Sequence, residues 1–190
     1  MYCFSGFISI DCGSNSSYTE PTTGIDYVSD SNYVETGLVS SISSDYTLDT
    51  LLQQLWNLRS FPEGIRNCYT IPVKPGTKYL IRSSFLYANY DAKNSTPTFD
   101  IYFGPNFWTT VTLPKVQTII DVEIIHITTS NQVQVCLVNT GYGVPFISAI
   151  ELRPLPNTSY VTLSGSLTAF LRLDVGAPND TFIRSVISFL

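Results

Sequence analysis

The run IRNCYTIPVKPGTKYLIRSSFLYANYDAKNSTPTFDIYFG occupies residues 65–104. Three apolar, tyrosine-rich segments are divided by Pro75-Gly76 and by Asn94-Ser95-Thr96-Pro97. Within them, apolar side chains recur at every second position, the period of a half-buried strand, and the dividers are turn residues. Tyr79, Ile81, Ser83, Phe85 and Tyr87 alternate with Lys78, Leu80, Arg82, Ser84 and Leu86. Phe99, Ile101 and Phe103 alternate with Asp100 and Tyr102. The reading is strand, turn, strand, loop, strand.

The same period extends outward. Ile8, Ile10 and Cys12 share one face of a first strand, opposite Ser9 and Asp11. Ile120, Val122 and Ile124 alternate with Asp121 and Glu123, and Val133, Val135 and Leu137 with Gln132, Gln134 and Cys136. Ile150 and Leu152 lie in a last strand ending at Arg153-Pro154. Turns are expected at Gly104-Pro105-Asn106 and Ser130-Asn131. Many short strands at this spacing predict an all-β, antiparallel sandwich of jelly-roll type. Leu48, Leu51, Leu52 and Leu55 instead fit a helical spacing, with Asp45 or Thr47 as cap. A short helix or helical turn near 48–54 is therefore expected, and at most one or two such turns in all.

Composition narrows the function. At 190 residues, 44% apolar and 13% charged, the chain has enough for one ordinary domain with a core and is too apolar for disorder. Ten Lys and Arg against 15 Asp and Glu give a formal charge of −5. The basic residues are scattered, which argues against nucleic acid and against a polybasic membrane patch. No apolar run approaches the roughly 20 residues of a membrane helix. The start, MYCFSGFISIDCG, has no basic leader region and does not read as a signal peptide.

Catalytic machinery is sparse. The one histidine, His126, falls in phase with Ile120, Val122 and Ile124, so it reads as a packed or edge side chain. No Ser-His-Asp set follows from it. No Cys and His spacing suits a metal, and Gly141-Tyr142-Gly143 reads as a turn after a strand. Asp121 and Glu123 share one strand face and are expected to meet solvent. No cofactor is implied.

Binding residues are easier to nominate. Tyr87, Tyr90 and Asp91 sit at the predicted end of one strand, and Phe107-Trp108 follow the Gly104-Pro105 turn. Aromatic faces against C–H patches, with Asp or Asn taking hydroxyls, are how proteins hold sugars. Tyr87, Tyr90, Asp91 and Trp108 are thus the carbohydrate candidates. The plainer reading is that such aromatics fill a core and its rim. Arg66 and Asn67 read as a structural hydrogen-bond knot. Asn15, Asn94, Asn157 and Asn179 each begin an Asn-X-Ser/Thr sequon. Cys3, Cys12, Cys68 and Cys136 allow three disulfide connectivities, or are buried thiols acting as small hydrophobes.

Six blocks in order carry a resemblance: SIDCG (9–13), TTGIDYVSD (22–30), LRSFPEGIRNCYT (58–70), KYLIRSSFLYANYD (78–91), PTFDIYFGPNFWTTV (97–111) and VCLVNTGYGVPFISAIELRPL (135–155). Together they resemble the malectin-like domain of plant receptor kinases, chiefly those with leucine-rich repeats. The resemblance implies a malectin-type β-sandwich of carbohydrate-binding ancestry. It also implies the first lobe of a tandem pair, on the extracellular face of the plasma membrane in a parent receptor. In the animal lectin that names the family, aromatics and an Asp surround a loop-end pocket for glucose disaccharides. Tyr87 is the position carried over, while Tyr90 and Asp91 are nominated on chemistry. Cys12, Cys68 and Cys136 lie in the matching blocks, and their pairing stays open.

The expected organisation is a leader at 1–5, a lobe at 6–156, and a linker with the start of a second lobe at 157–190. The last rests on Phe170–Gly176, FLRLDVG, echoing Phe7–Gly13, FISIDCG. Lacking a signal peptide, repeats, a membrane helix and a kinase, the chain reads as a fragment, a truncated gene model or a shortened relative. The implied ligand is a cell-wall carbohydrate, a peptide or a co-receptor ectodomain, bound without catalysis. The alternative is a spacer lobe with no ligand of its own.

Overall fold

The computed structural model describes residues 6–161 and a short strand at 166–168. In chain order the strands are β1 (Ile8–Asp11), β2 (Tyr18–Thr19), β3 (Asp26–Ser29), β4 (Leu38–Ser41), β5 (Asn57–Ser60), β6 (Arg66–Pro72), β7 (Lys78–Leu86), β8 (Thr98–Phe103), β9 (Asn106–Thr112), β10 (Ile119–Ile127), β11 (Gln132–Tyr142), β12 (Phe146–Ile147), β13 (Ala149–Leu155) and β14 (Ser166–Thr168). One sheet has the order β14-β10-β7-β13-β1-β3-β2, a second β6-β11-β8-β9, and a small third β12-β5-β4. Pairing is antiparallel except where β1 runs parallel to β3.

Alternation places the core between the two large sheets. The inward residues of β7, Tyr79, Ile81, Ser83 and Phe85, are all buried. So are Phe99 and Ile101 of β8, and Val133, Val135 and Leu137 of β11. Phe85 meets Phe99 across the layers at 5.7 Å between ring centres, and Phe146 closes on Phe99 at 5.7 Å. Such edge-on aromatic contacts add about 0.5–1.5 kcal/mol each beyond the area they bury.

The polar face of β7 carries ions. Register sets Arg82 between Glu123 of β10 and Glu151 of β13. Arg82 bridges to Glu123 at 2.7 Å, and Arg153 to Glu151 at 3.2 Å. Glu123 is therefore held in an ion pair on the sheet rather than turned to solvent, and Asp121 accepts from the Ser84 hydroxyl at 2.6 Å.

Three expectations need correction. The leucines at 48–55 make no continuous helix. Single 3-10 turns form at Ser44–Tyr46 and Gln53–Leu55, and Leu52 between them is extended. Neither Asp45 nor Thr47 caps the second turn, whose N-cap is Leu52. A third turn at Asp30–Asn32, capped by Ser29, exceeds the one or two expected. Ser9 and Asp11 are also buried, because β1 lies inside the sheet and both of its faces are covered. In the tail, Ser166–Thr168 pairs with β10. Cys3, Phe170–Gly176 and Asn179 lie outside the described residues.

Candidate functional site

β7 ends at Leu86, and the chain turns through 87–97 before β8. Four non-glycine residues there take left-handed backbone: Ala88 (φ 39°), Asn89 (52°), Ala92 (58°) and Asn94 (51°). Each costs on the order of 1 kcal/mol or more, so the surroundings must impose it. They do. Ala88 N–H donates to Val116 O at 2.9 Å, and Ser43 N–H donates to Ala88 O at 3.1 Å. Asn94 N–H donates to Asn89 Oδ1 at 2.7 Å.

Tyr87, Tyr90 and Asp91 do come together here. The Tyr87 hydroxyl donates to Asp91 Oδ1 and accepts from Ser95 N–H at 3.3 Å. Tyr90 packs edge-on against Tyr87 at 5.5 Å, and both rings reach Phe146, at 5.7 and 6.1 Å. Tyr87 is fully buried, at 0% exposure. Burial first, and the bond to Asp91 second, push its hydroxyl up to about 12. Its ring thus faces the core, and its hydroxyl is committed within the loop. Tyr90 is half-buried and meets Ser60. A sugar would find no open face on Tyr87.

Trp108 lies elsewhere. β8 runs away from this loop, and Trp108 packs edge-on against Phe103 at its far end, 6.3 Å between ring centres. It is buried, and among the described residues its indole N–H has no hydrogen-bond partner. The residue is part of the packing there and does not join the Tyr87 cluster.

Cys68 and Cys136 sit opposite each other on β6 and β11, Cα atoms 4.0 Å apart, and form a disulfide. Cys12, nominated with them, is a buried free thiol that burial pushes well up in pKa. Strand register brings the first two together, while Cys12 follows β1 in the other sheet. Asn15, Asn94 and Asn157 are exposed in loops. Arg66 donates to Gly104 O and lies over the Tyr102 ring at 4.9 Å, and Asn67 bridges Thr36 and Glu63 O at 2.8 and 2.9 Å. This is the expected knot. His126 packs on Phe103 at 4.8 Å, as its phase predicts. Among the described residues, no three His, Cys, Asp or Glu gather to hold a metal.

The malectin-like domain family matches residues 10–186, and the chain belongs to that family. It is 53% identical over 175 residues to the LRR receptor-like serine/threonine-protein kinase IOS1 of Arabidopsis thaliana, covering 91% of this chain and 19% of that protein. It is 51% identical over 182 residues to the probable LRR receptor-like serine/threonine-protein kinase At1g51880 of the same plant, covering 94% and 21%. The chain thus spans about a fifth of the length of the curated relatives it matches, and the malectin-like match covers most of it. In fold it resembles the ANX1 ectodomain from Arabidopsis thaliana, with a TM-score of 0.69, 18% identity, and coverage of 81% of this chain and 42% of that one. It also resembles a chain of the complex of plant peptide RALF23 with FER and LLG2, with a TM-score of 0.64, 18% identity, and coverage of 83% and 42%.

Proposed function

We propose that this lobe is an extracellular recognition module of a plant receptor kinase that binds a peptide or a partner ectodomain through its surface. The observation that carries the choice over a loop-end sugar pocket is the state of Tyr87, buried and hydrogen-bonded to Asp91 and Ser95. The cluster that matches the lectin pocket in residue type is spent on holding the loop. The solved complex of RALF23 with FER and LLG2 is a precedent for peptide and co-receptor binding in a chain of this fold. An extracellular setting is supported by the Cys68–Cys136 disulfide and by three exposed sequons, at Asn15, Asn94 and Asn157.

Surface plasmon resonance tests the reading. The secreted chain is immobilised and exposed to RALF23, to LLG2, to both, and to cell-wall oligosaccharides. The expected result is saturable binding of peptide or ectodomain, unchanged within about twofold in Tyr87→Phe, because that hydroxyl faces inward. Oligosaccharide binding that disappears in Tyr87→Phe, with no response to peptide or ectodomain, would restore the loop-end sugar pocket instead.

A further inference from the structure

Among the described residues, most sheet edges are covered, short or interrupted. β14 covers β10, and β2 and β12 are two residues long. Thr70 N–H of β6 donates to Tyr33 O at 2.9 Å, and a shift in register interrupts β9 against β8. β4 differs. It ends the small sheet β12-β5-β4 and keeps an unbroken register with β5. Its sequence, Leu38-Val39-Ser40-Ser41, has no charge and no proline, two devices that usually shield an edge.

Register decides which backbone groups of β4 are committed. Leu38 lies opposite Ser60 and Ser40 opposite Leu58, in phase with Ile42 N–H, which donates to Trp56 O at 3.0 Å. On the other side of β5, Phe61 N–H donates to Pro145 O at 2.8 Å, so Arg59 and Phe61 bond toward β12, and Leu58 and Ser60 toward β4. Bonded pairs alternate with unbonded ones in an antiparallel ladder. The N–H and C=O of Val39 and Ser41 therefore point away from the sheet. The strand around them is open and rigid. Leu38 is 60% exposed and Val39 43%. Gly37 leads in at φ 88°, where an added Cβ would stand 2.8 Å from the Phe61 ring and from Ser60 O. Ser43 N–H, just past the strand, is tied to Ala88 O. A preformed edge gains a strand at little ordering cost.

Charge selects the occupant. The first 58 residues hold seven Asp and Glu and no Lys or Arg, so no cation flanks β4 in sequence. Arg59, opposite Val39, is engaged with Asp30. Glu35 before the strand and Asp45 and Asp49 after it are all exposed. A second copy pairing antiparallel, Val39 against Ser41, would bring the Glu35 end of each chain to the Asp45 end of the other, like charge on like. A segment with Lys or Arg at both ends meets opposite charge at both. We propose that β4 takes an extended peptide segment with basic ends as an added strand, through the N–H and C=O of Val39 and Ser41. Leu38 and Val39 lie on opposite faces and cover alternate side chains of that segment. The site rests on the reading of this lobe as a peptide binder.

Fluorescence anisotropy on the whole chain tests it with labelled Lys-Thr-Val-Thr-Val-Lys and its acid-ended counterpart, Glu-Thr-Val-Thr-Val-Glu. The basic peptide is expected to bind about tenfold or more tighter than the acidic one, and the double variant Glu35→Gln, Asp45→Asn should narrow that gap. Val39→Pro removes one outward N–H and should weaken the basic peptide about tenfold. Its melting temperature should hold, because proline is tolerated where an edge N–H faces outward. Amide exchange by NMR on the parent gives a readout that needs no variant. The basic peptide should slow the Val39 and Ser41 amides and leave those of Leu38 and Ser40 unchanged. Exchange at Val39 and Ser41 that the basic peptide does not alter overturns the proposal. So does equal binding of the two peptides, or an unweakened Val39→Pro. A dimer in sedimentation that Val39→Pro dissolves would also overturn it and give the edge to a second copy. Binding of RALF23 or LLG2 with no response to the basic peptide would overturn this site and leave the recognition module standing.

Discussion

The Tyr18 hydroxyl donates to Asp11 Oδ2 at 2.6 Å, and the carboxyl it serves is fully buried. Asp11 is raised to about 7, first by that burial and further by the nearby charge of Asp30, against the lowering pull of Tyr18 and of Ser14 N–H. An unfolded Asp titrates near 4, so between about 4 and about 7 the folded state holds a proton that the unfolded state has lost. Stability is thus fully present in acid and falls as pH rises through about 7, by on the order of 4 kcal/mol in all. Thermal melts at pH 5 and pH 8 should show a clear drop for the parent and a much smaller one for Asp11→Asn. Equal drops in both would exclude Asp11 as the source.

Asp30 is buried too, but it is fully engaged. Arg59 grips it with two bonds, Nε to Oδ2 at 2.6 Å and a terminal nitrogen to Oδ1 at 2.7 Å, and the Tyr69 hydroxyl adds a third at 3.0 Å. Removing the cation strands a buried carboxylate, which costs about 3–5 kcal/mol. Urea unfolding of Arg59→Ala should show a loss of that size. Arg59→Lys should recover only part of it, since an ammonium cannot match the fork. A loss under about 1 kcal/mol for the alanine variant would mean that the pair behaves like an exposed one.

How much of this was legible beforehand varies from residue to residue. Alternation in 65–104 and in β10 and β11 identified the residues that face the core, because a half-buried strand has a period of two, although in β7 Lys78, Leu80, Ser84 and Leu86 on the other face are buried as well. It placed Phe85, Phe99 and His126 correctly. It failed for Ser9 and Asp11, since no local pattern tells that β1 lies inside a sheet with both faces covered. It failed at Leu48–Leu55, where spaced leucines serve a looping segment and Leu52 is extended. Tyr87, Tyr90 and Asp91 were found as a cluster, but their residue types are the same whether a ring faces sugar or core.

The disulfide ties β6 to β11 across a separation of 68 residues. Removing it with Cys136→Ser should cost about 2–5 kcal/mol. Alkylation of the native chain with iodoacetamide, read by mass spectrometry, should leave Cys12 unmodified because its thiol is buried and held protonated. Labelling of Cys12 at native pH would contradict that burial, as would a Cys12 found linked to Cys68 or Cys136.

In the 87–97 loop, hydroxyl and ring can be separated. Tyr87→Phe keeps the packing on Tyr90 and Phe146 but leaves Asp91 and Ser95 N–H short of a partner, a loss of about 1 kcal/mol. Tyr87→Ala also opens a cavity beside Phe146 and should cost about 3–5 kcal/mol. Denaturant titration of the two variants gives both values. Near-equal losses would place the stabilisation in the hydroxyl rather than the ring.

The run of charges across β10, β7 and β13 acts as a vernier on strand alignment. In the observed register, Arg82 lies between Glu123 and Glu151. If β13 slid by two residues in one direction, its faces would stay correct but Arg153 would stand opposite Arg82, like charge on like. In the other direction Ala149 would, and Arg82 would lose one of its two acids. The apolar alternation tolerates either shift equally well; the ions do not. Hydrophobicity chooses which side of each strand is inside, and four charged side chains choose which rung of the ladder it occupies.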